Sequence, residues 1–153
     1  MIDFNKRTRH HAGRARIIAN TILLEFMNDP KIEIPISDIK LIGEYTTENG
    51  PHLDDYFIVF YYSENSYAEI SMYAENLIEM IDELETKIGG KLKSHLTSSA
   101  VWNSNILWPN ASKGETLWLT KRAKPENFNE RMHLFFGGEK LEIELTEIAK
   151  SYL

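Results

Sequence analysis

Histidine and carboxylate side chains are the groups with which this sequence could bind a metal ion or transfer protons. The five histidines are His10, His11, His52, His95 and His133. The best local cluster is His52-Leu53-Asp54-Asp55, in which His52 and Asp54 point to the same side of an extended strand. Because nothing in the sequence supplies a third ligand, we expect no metal site. A small hydrolase-like enzyme that uses His52, Asp54 and Asp55 is kept as an alternative.

Motifs for nucleotide binding and covalent catalysis are missing from the sequence. It contains no G-x-G-x-x-G, no G-x-x-x-x-G-K-[ST] and no G-x-S-x-G segment. There is no cysteine, which excludes thiol catalysis, cysteine-based zinc sites and disulfides. The sequence therefore favours a non-catalytic protein over an enzyme, and we expect no cofactor.

Three tryptophans, Trp102, Trp108 and Trp118, fall within a short stretch of the chain. Trp102 and Trp108 have the same parity, so a continuous strand would place them on one face. Most tryptophans on strands belong to a core, but exposed ones beside acidic groups are typical of binding hot spots. We therefore predict that Trp102 and Trp108 contact a partner.

The net charge of −6 is unevenly distributed along the 153 residues. Residues 25–85 contain 15 acidic and two basic residues, whereas both flanking segments are net positive. A negative surface attracts a basic partner and raises the rate of association. Four acidic residues of the predicted central helix are the candidate partner-binding groups: Glu75, Glu79, Asp82 and Glu83. The alternative is that these side chains only solvate the outer face of the helix.

The stretch from Lys6 to Arg16 holds five basic residues and is the only argument for nucleic-acid binding. The acidic pI of about 5.4 argues against that function, because nucleic-acid-binding domains are usually basic. The same stretch could instead dock onto the protein's own acidic surface. A basic protein is therefore the expected partner.

The pattern of apolar residues predicts a helix, three strands, a second helix and further strands. The first helix runs from Thr8 to Met27, since Ala15, Ile18, Ile22 and Phe26 recur at helical spacing. The three strands are Ile36–Tyr45, Tyr56–Tyr62 and Tyr67–Tyr73, followed by an amphipathic helix from Ala74 to Ile88 that ends at Gly89-Gly90. A single long helix beginning at residue 67 is the alternative, because Ser66 and Glu69 also fit a capping box.

The last third of the sequence predicts four strands and a short helix. The strands are Ala100–Trp108, Thr116–Lys121, Met132–Phe136 and Lys140–Leu145, with a reversal at Gly137-Gly138 before the last of them. Thr146 then caps a helix that runs through Leu153. The whole chain, residues 1–153, is thus expected to form a single α+β domain on an antiparallel sheet of about five to seven strands.

The sequence supports one functional hypothesis, with alternatives. No run reaches the ~18 apolar residues that span a bilayer, and no signal peptide is evident, so we expect a cytoplasmic protein without membrane contact. Small acidic α+β proteins without catalytic motifs include immunity proteins and secretion chaperones, an analogy of architecture alone. We predict a protein-binding module, most concretely an immunity protein that neutralises a basic toxin domain. A secretion-chaperone-like homodimer is the second alternative, and the sequence does not define the oligomeric state.

Overall fold

The computed structural model describes residues 13–47, 55–94, 96, 101–122 and 141–153. These residues form nine strands and two α-helices. In chain order they are β1 (Arg14–Ile18), β2 (Thr21–Glu25), β3 (Ile32–Pro35), β4 (Leu41–Thr46), β5 (Tyr56–Ser63), β6 (Ser66–Ser71), α1 (Leu77–Ile88), β7 (Asn103–Trp108), β8 (Trp118–Arg122), β9 (Leu141–Leu145) and α2 (Glu147–Lys150). The short 3-10 turns Ile36–Asp38 and Asn110–Ser112 precede β4 and follow β7.

The predicted N-terminal helix is wrong over its described part, since this segment forms an antiparallel hairpin. Strands β1 and β2 pair from Arg14 with Glu25 to Ile18 with Thr21, and Ala19 adopts the positive φ of 54° that such two-residue turns require. Strand β3 then pairs with β2 and makes a three-stranded sheet. The β-branched residues of the segment pack across these strands, and this packing overrides the helical spacing. Residues 1–12 lie outside the description.

Four strands in the order β6-β5-β4-β7 form the central antiparallel sheet. The predicted strand at Tyr56–Tyr62 is confirmed as β5, which lies between β4 and β6. Residues 66–71 form a strand, so the alternative of one long helix from residue 67 is wrong. The predicted strand Ile36–Tyr45 is shorter at its start, because Ile36–Asp38 is a 3-10 turn and β4 begins at Leu41.

Both faces of the central sheet are covered by other elements. One face, the helix-side core, packs against the three-stranded sheet and α1; its residues include Ile22, Leu24, Ile42, Ile58, Phe60, Leu77 and Leu84. The other, the C-terminal-side core, packs against the pair β8-β9 and α2; its residues are Leu41, Tyr45, Val59, Tyr61, Ile106, Leu117, Trp118 and Ala149. The α+β class is confirmed, but the described strands form sheets of three, four and two strands instead of one sheet of five to seven.

Helix α1 begins three residues later than predicted and ends where the glycines indicated. Asn76 precedes it in a left-handed conformation, and Gly89 closes it with a φ of 67° that favours glycine. Leu77, Met80 and Leu84 are buried, which confirms the amphipathic character of the helix. This register turns Glu79, Asp82 and Glu83 toward solvent.

The C-terminal residues confirm one predicted helix start, but the helix ends at Lys150 instead of running through Leu153. Thr146 precedes α2, and its hydroxyl accepts a hydrogen bond of 3.2 Å from the Ala149 N–H. Strand β9 pairs with β8, from Trp118 with Leu145 to Arg122 with Leu141. The predicted strand Met132–Phe136 and the reversal at Gly137-Gly138 lie outside the described residues. No helix in the described ranges is long and apolar enough to cross a membrane.

Candidate partner-binding surface

Three of the four predicted acidic residues lie together on the solvent side of α1. Glu79, Asp82 and Glu83 are all exposed, and we call these three residues the acidic face. Residues three and four positions apart are neighbours on a helix, so each of these carboxylates lies beside at least one other. The helix thereby concentrates negative charge over about one turn of its surface.

Two lysines lie near the acidic face: Lys87 lies closest to Glu83, and the charge of Asp82 acts on Lys91 at longer range. Lys87 Nζ lies 3.7 Å from the carboxylate of Glu83, one turn further along α1. Glu79 and Asp82 form no side-chain ion pair within the described part of the chain. Their carboxylates are therefore available to a cation from outside these residues.

The fourth predicted residue, Glu75, joins the acidic face to the N-terminal strand. Arg14 Nη2 donates to both carboxylate oxygens of Glu75, at 2.9 and 3.0 Å. The backbones are also paired: the Ala15 N–H donates to the Glu75 carbonyl, and the Glu75 N–H donates to the Gly13 carbonyl, at 3.0 and 2.9 Å. Glu75 is exposed and bonds to β1 through both its side chain and its backbone; its contact with a partner stays a prediction.

An exposed isoleucine borders the acidic face and was not identified from the sequence. Ile78 lies on α1 one turn before Asp82 and is 71% exposed. The sequence signal was present, since Ile78 falls outside the apolar stripe that Leu77, Ile81, Leu84 and Ile88 form at helical spacing. A large apolar side chain beside carboxylates resembles the apolar anchors that protein interfaces use.

One carboxylate, Glu85, bonds to the segment that follows α1. Glu85 accepts hydrogen bonds from Lys91 Nζ at 2.8 Å and from the Leu92 N–H at 2.7 Å. The Lys91 ammonium, followed by the Leu92 amide, lowers the pKa of the Glu85 carboxyl, and the carboxylate in turn raises the pKa of Lys91. Glu85 therefore anchors the segment after α1 and is not part of the acidic face.

The two predicted tryptophans do not share a face. Ile42 pairs with Trp108 and Gly43 with Ile106, so Leu107 is an extra residue in β7 and the alternation reverses there. Trp102 packs against Tyr45 and Trp118 in the C-terminal-side core, whereas Trp108 packs against the helix-side core. The prediction that both tryptophans share a face assumed a continuous strand and did not include this bulge. Both side chains are half-buried, and their contact with a partner stays a prediction.

Two buried carboxylates, Glu44 and Glu69, were also missed, because acidic side chains are rarely buried. Glu44 accepts a hydrogen bond from the Tyr56 hydroxyl, which also contacts the Ser94 hydroxyl. On the opposite face, the Tyr45 hydroxyl donates to Glu69 at 2.8 Å. Tyrosine donors satisfy these carboxylates inside the protein, and burial of both sheet faces explains why alternation was misleading.

The alternative enzymatic site cannot be assembled from the described residues. All five histidines and Asp54 lie outside them, and Asp55 accepts a hydrogen bond of 3.0 Å from the Tyr73 hydroxyl. Among the residues described, no group of three or more histidine, aspartate or glutamate side chains is arranged to hold a metal ion.

Comparison of the chain with protein-family models, curated protein sequences and solved structures finds no significant match.

Proposed function

We propose that this chain is a protein-binding module that recognises a basic partner through the acidic face of α1 and the adjacent Ile78. The observation that carries the proposal is the exposure of Ile78 beside three clustered carboxylates. The carboxylates would attract a basic surface and set its orientation, and Ile78 would supply the apolar contact.

Electrostatics within the helix supports this proposal. Glu79 and Glu83 are a like-charge pair at i,i+4, and such pairs destabilise a helix by roughly 0.2–0.5 kcal/mol. A bound cationic side chain would remove this repulsion. The free protein thus retains a small electrostatic cost that a basic partner would offset.

The packing of the central sheet favours this proposal over the chaperone-like homodimer. That hypothesis requires an apolar sheet face to hold a client segment, and both faces of the four-stranded sheet are packed against other elements. Neutralisation of a basic toxin domain, the most concrete form of the binding hypothesis, stays a prediction.

The proposal is tested by capture from a lysate of the source organism with three forms of the protein. They are the wild type, the charge reversal E79K/D82K/E83K, and a control, D29K/E64K/E115K, with the same change in charge at exposed positions elsewhere. Glu75 is left unchanged because it pairs with Arg14. Captured proteins are identified by mass spectrometry, and the association rate of a purified partner is measured at several salt concentrations.

We expect the wild type and the control to retain one basic partner that the reversal loses. The association rate should fall with salt, because a Debye length of about 8–10 Å screens exposed charges. The variant I78A should weaken binding about fivefold or more, as truncation of an anchor costs over ~1 kcal/mol. Retention of the same partner by the reversal, or capture of no basic protein by the wild type, would contradict the proposal.

A further inference from the structure

A buried carboxylate on the helix-side face of the central sheet takes no part in the proposed function. Glu44 lies in β4, opposite Ile58 of β5, and is 0% exposed. Its neighbours on that face include Ile42 and Ile58, which belong to the helix-side core. Burial of a charged group costs free energy, and buried ionisable groups are candidates for chemistry. The hydrogen bonds of Glu44 lead from this core toward the surface.

These hydrogen bonds run in one direction. Tyr56 of β5 is a diagonal neighbour of Glu44 across the strand pair, and its hydroxyl donates its single hydrogen to Glu44 Oε2. In the contact between the Tyr56 and Ser94 hydroxyls, Ser94 is therefore the donor. The Leu96 N–H in turn donates to Ser94 Oγ, at 3.2 Å. The chain of bonds thus passes from Ser94 through Tyr56 to Glu44.

Ser94 is the outer end of this chain of hydrogen bonds. Its side chain is half-buried, whereas Tyr56 and Glu44 are buried. Leu92 and Leu96, two positions away on either side, are both buried and hold the segment in place. A hydroxyl within reach of solvent is thus connected through one tyrosine to a carboxylate inside the protein.

This arrangement has the parts of an activated nucleophile. A serine hydroxyl is a weak nucleophile until a base takes its proton, and a carboxylate can act as that base. Tyr56 connects the two groups, because its hydroxyl accepts from Ser94 and donates to Glu44. The Leu96 N–H points at Ser94 Oγ and stabilises the negative charge that develops there as the proton leaves.

We propose that Ser94 is a nucleophile that accepts the acyl group of a carboxylic ester, while Tyr56 relays its proton to Glu44. Ser94 Oγ bonds to the carbonyl carbon as its proton passes to the Tyr56 oxygen and the Tyr56 proton passes to Glu44. The bond to the leaving alcohol then breaks, and the alcohol takes a proton back along the same path. Water attacks the acyl-serine by the same route, which releases the carboxylic acid and restores Ser94. This inference is independent of the acidic face of α1.

The first test uses a fluorophosphonate probe on the folded protein. An activated serine forms a bond to phosphorus and displaces fluoride, and peptide mass spectrometry locates the adduct. We expect an adduct on Ser94 and none on the exposed Ser37, and we expect none on either residue after unfolding in urea. Absence of the Ser94 adduct from the folded wild type would overturn the proposal.

The second test separates the proton relay from a structural role of Glu44. In E44Q the amide oxygen can still accept from the Tyr56 hydroxyl but cannot take its proton. We expect kinact for the probe to fall about 100-fold or more, the range of general-base catalysis, with KI unchanged. The matched control is E69Q, which changes the buried carboxylate that bonds to Tyr45 on the opposite face. Equal kinact values in wild type and E44Q would contradict the relay.

A third measurement decides the question even if E44Q does not fold. S94A removes one oxygen from a half-buried side chain, and folding is checked by circular dichroism. With p-nitrophenyl acetate, the wild type and S37A should release a burst of about one equivalent of p-nitrophenol per protein. S94A should show no burst. The same burst in S94A, or no burst in the wild type, would overturn the proposal.

Discussion

The indole Nε1 of Trp118 donates a hydrogen bond of 2.9 Å to the hydroxyl of Tyr61, which lies 57 positions earlier in the chain. Both side chains are buried in the C-terminal-side core, and the bond joins the first residue of β8 to the central strand β5. The indole nitrogen of tryptophan is a single donor, so this hydrogen bond satisfies it inside the protein. The pair fixes where the strands β8 and β9 lie on the central sheet.

Removing the Tyr61 hydroxyl should destabilise the protein more than removing an exposed one. Y61F leaves the indole N–H of Trp118 without its acceptor, and we expect a loss of about 1–3 kcal/mol in the free energy of unfolding. Tyr73 is exposed and bonds to Asp55, so Y73F should cost no more than roughly 0.5 kcal/mol. Urea denaturation of both variants measures the difference, and equal losses would contradict the structural role of the bond.

Gly43 is required because Leu117 lies against its Cα. A Cβ atom at this position would be 2.5 Å from Leu117 Cδ2 and 3.1 Å from the Asn105 carbonyl oxygen. G43A should therefore overpack the core and destabilise the protein by about 1–3 kcal/mol. In the L117A background the cost of G43A should become smaller, because the closest contact is gone. Additive losses in this double-mutant cycle would refute the contact.

The two faces of α1 should differ sharply in their contribution to stability. Met80 is 2% exposed and Ile78 is 71% exposed, although both are large apolar residues on the same helix. M80A should cost about 2–5 kcal/mol through loss of buried surface and formation of a cavity. I78A should change the free energy of unfolding by no more than roughly 0.5 kcal/mol. A large loss for I78A in thermal or urea unfolding would show that Ile78 is structural.

The lowered pKa of Glu85 predicts a pH-dependent contribution to stability. A carboxyl with a lower pKa in the folded state stabilises the protein above the pKa of the unfolded chain, about 4.3, and this contribution is lost as the pH falls through the lowered folded pKa. E85Q should therefore be less stable than the wild type at pH 7, by on the order of 1–2 kcal/mol for the weakened hydrogen bonds.

The difference between wild type and E85Q should shrink as the pH falls below about 4.3. Urea denaturation across pH 3–7 measures it, with E83Q as the control, because Glu83 is exposed and lies 3.7 Å from Lys87. A constant difference between wild type and E85Q at every pH would contradict the assignment.

The ion pair between Arg14 and Glu75 should contribute little to folding. The two side chains are 48% and 59% exposed, and double-mutant cycles of exposed pairs typically give about 0.2–1 kcal/mol. The backbone hydrogen bonds of Ala15 and Glu75 remain in E75Q, so this variant should fold. A cycle of R14Q and E75Q, repeated at high salt, should give a coupling energy that decreases with ionic strength. A coupling well above 1 kcal/mol would show that the pair is structural.

Local patterns in the sequence were sufficient for the elements whose environment is simple. The apolar run from Tyr56 predicted β5, because a strand covered on both faces needs apolar residues at every position. Gly89 and Thr146 marked helix ends, since a left-handed residue closes α1 and a side-chain hydroxyl caps α2. The polar stripe of α1 likewise predicted that Glu79, Asp82 and Glu83 are exposed.

Tertiary structure decided the features that depend on residues far apart in the chain. The residues around Ile18 and Ile22 have helical spacing, but they form strands because β2 pairs with β3, where Ile22 lies opposite Ile34. The extra residue Leu107 places Trp102 and Trp108 on opposite faces of the central sheet. The sequence did not predict this bulge, because a bulge depends on the partner strand as well as on local sequence. Glu75 and Arg14 form an ion pair because β1 packs beside α1. Sequence thus determined local conformation and charge, whereas long-range packing determined which faces are buried and which acidic residues stay available to a partner.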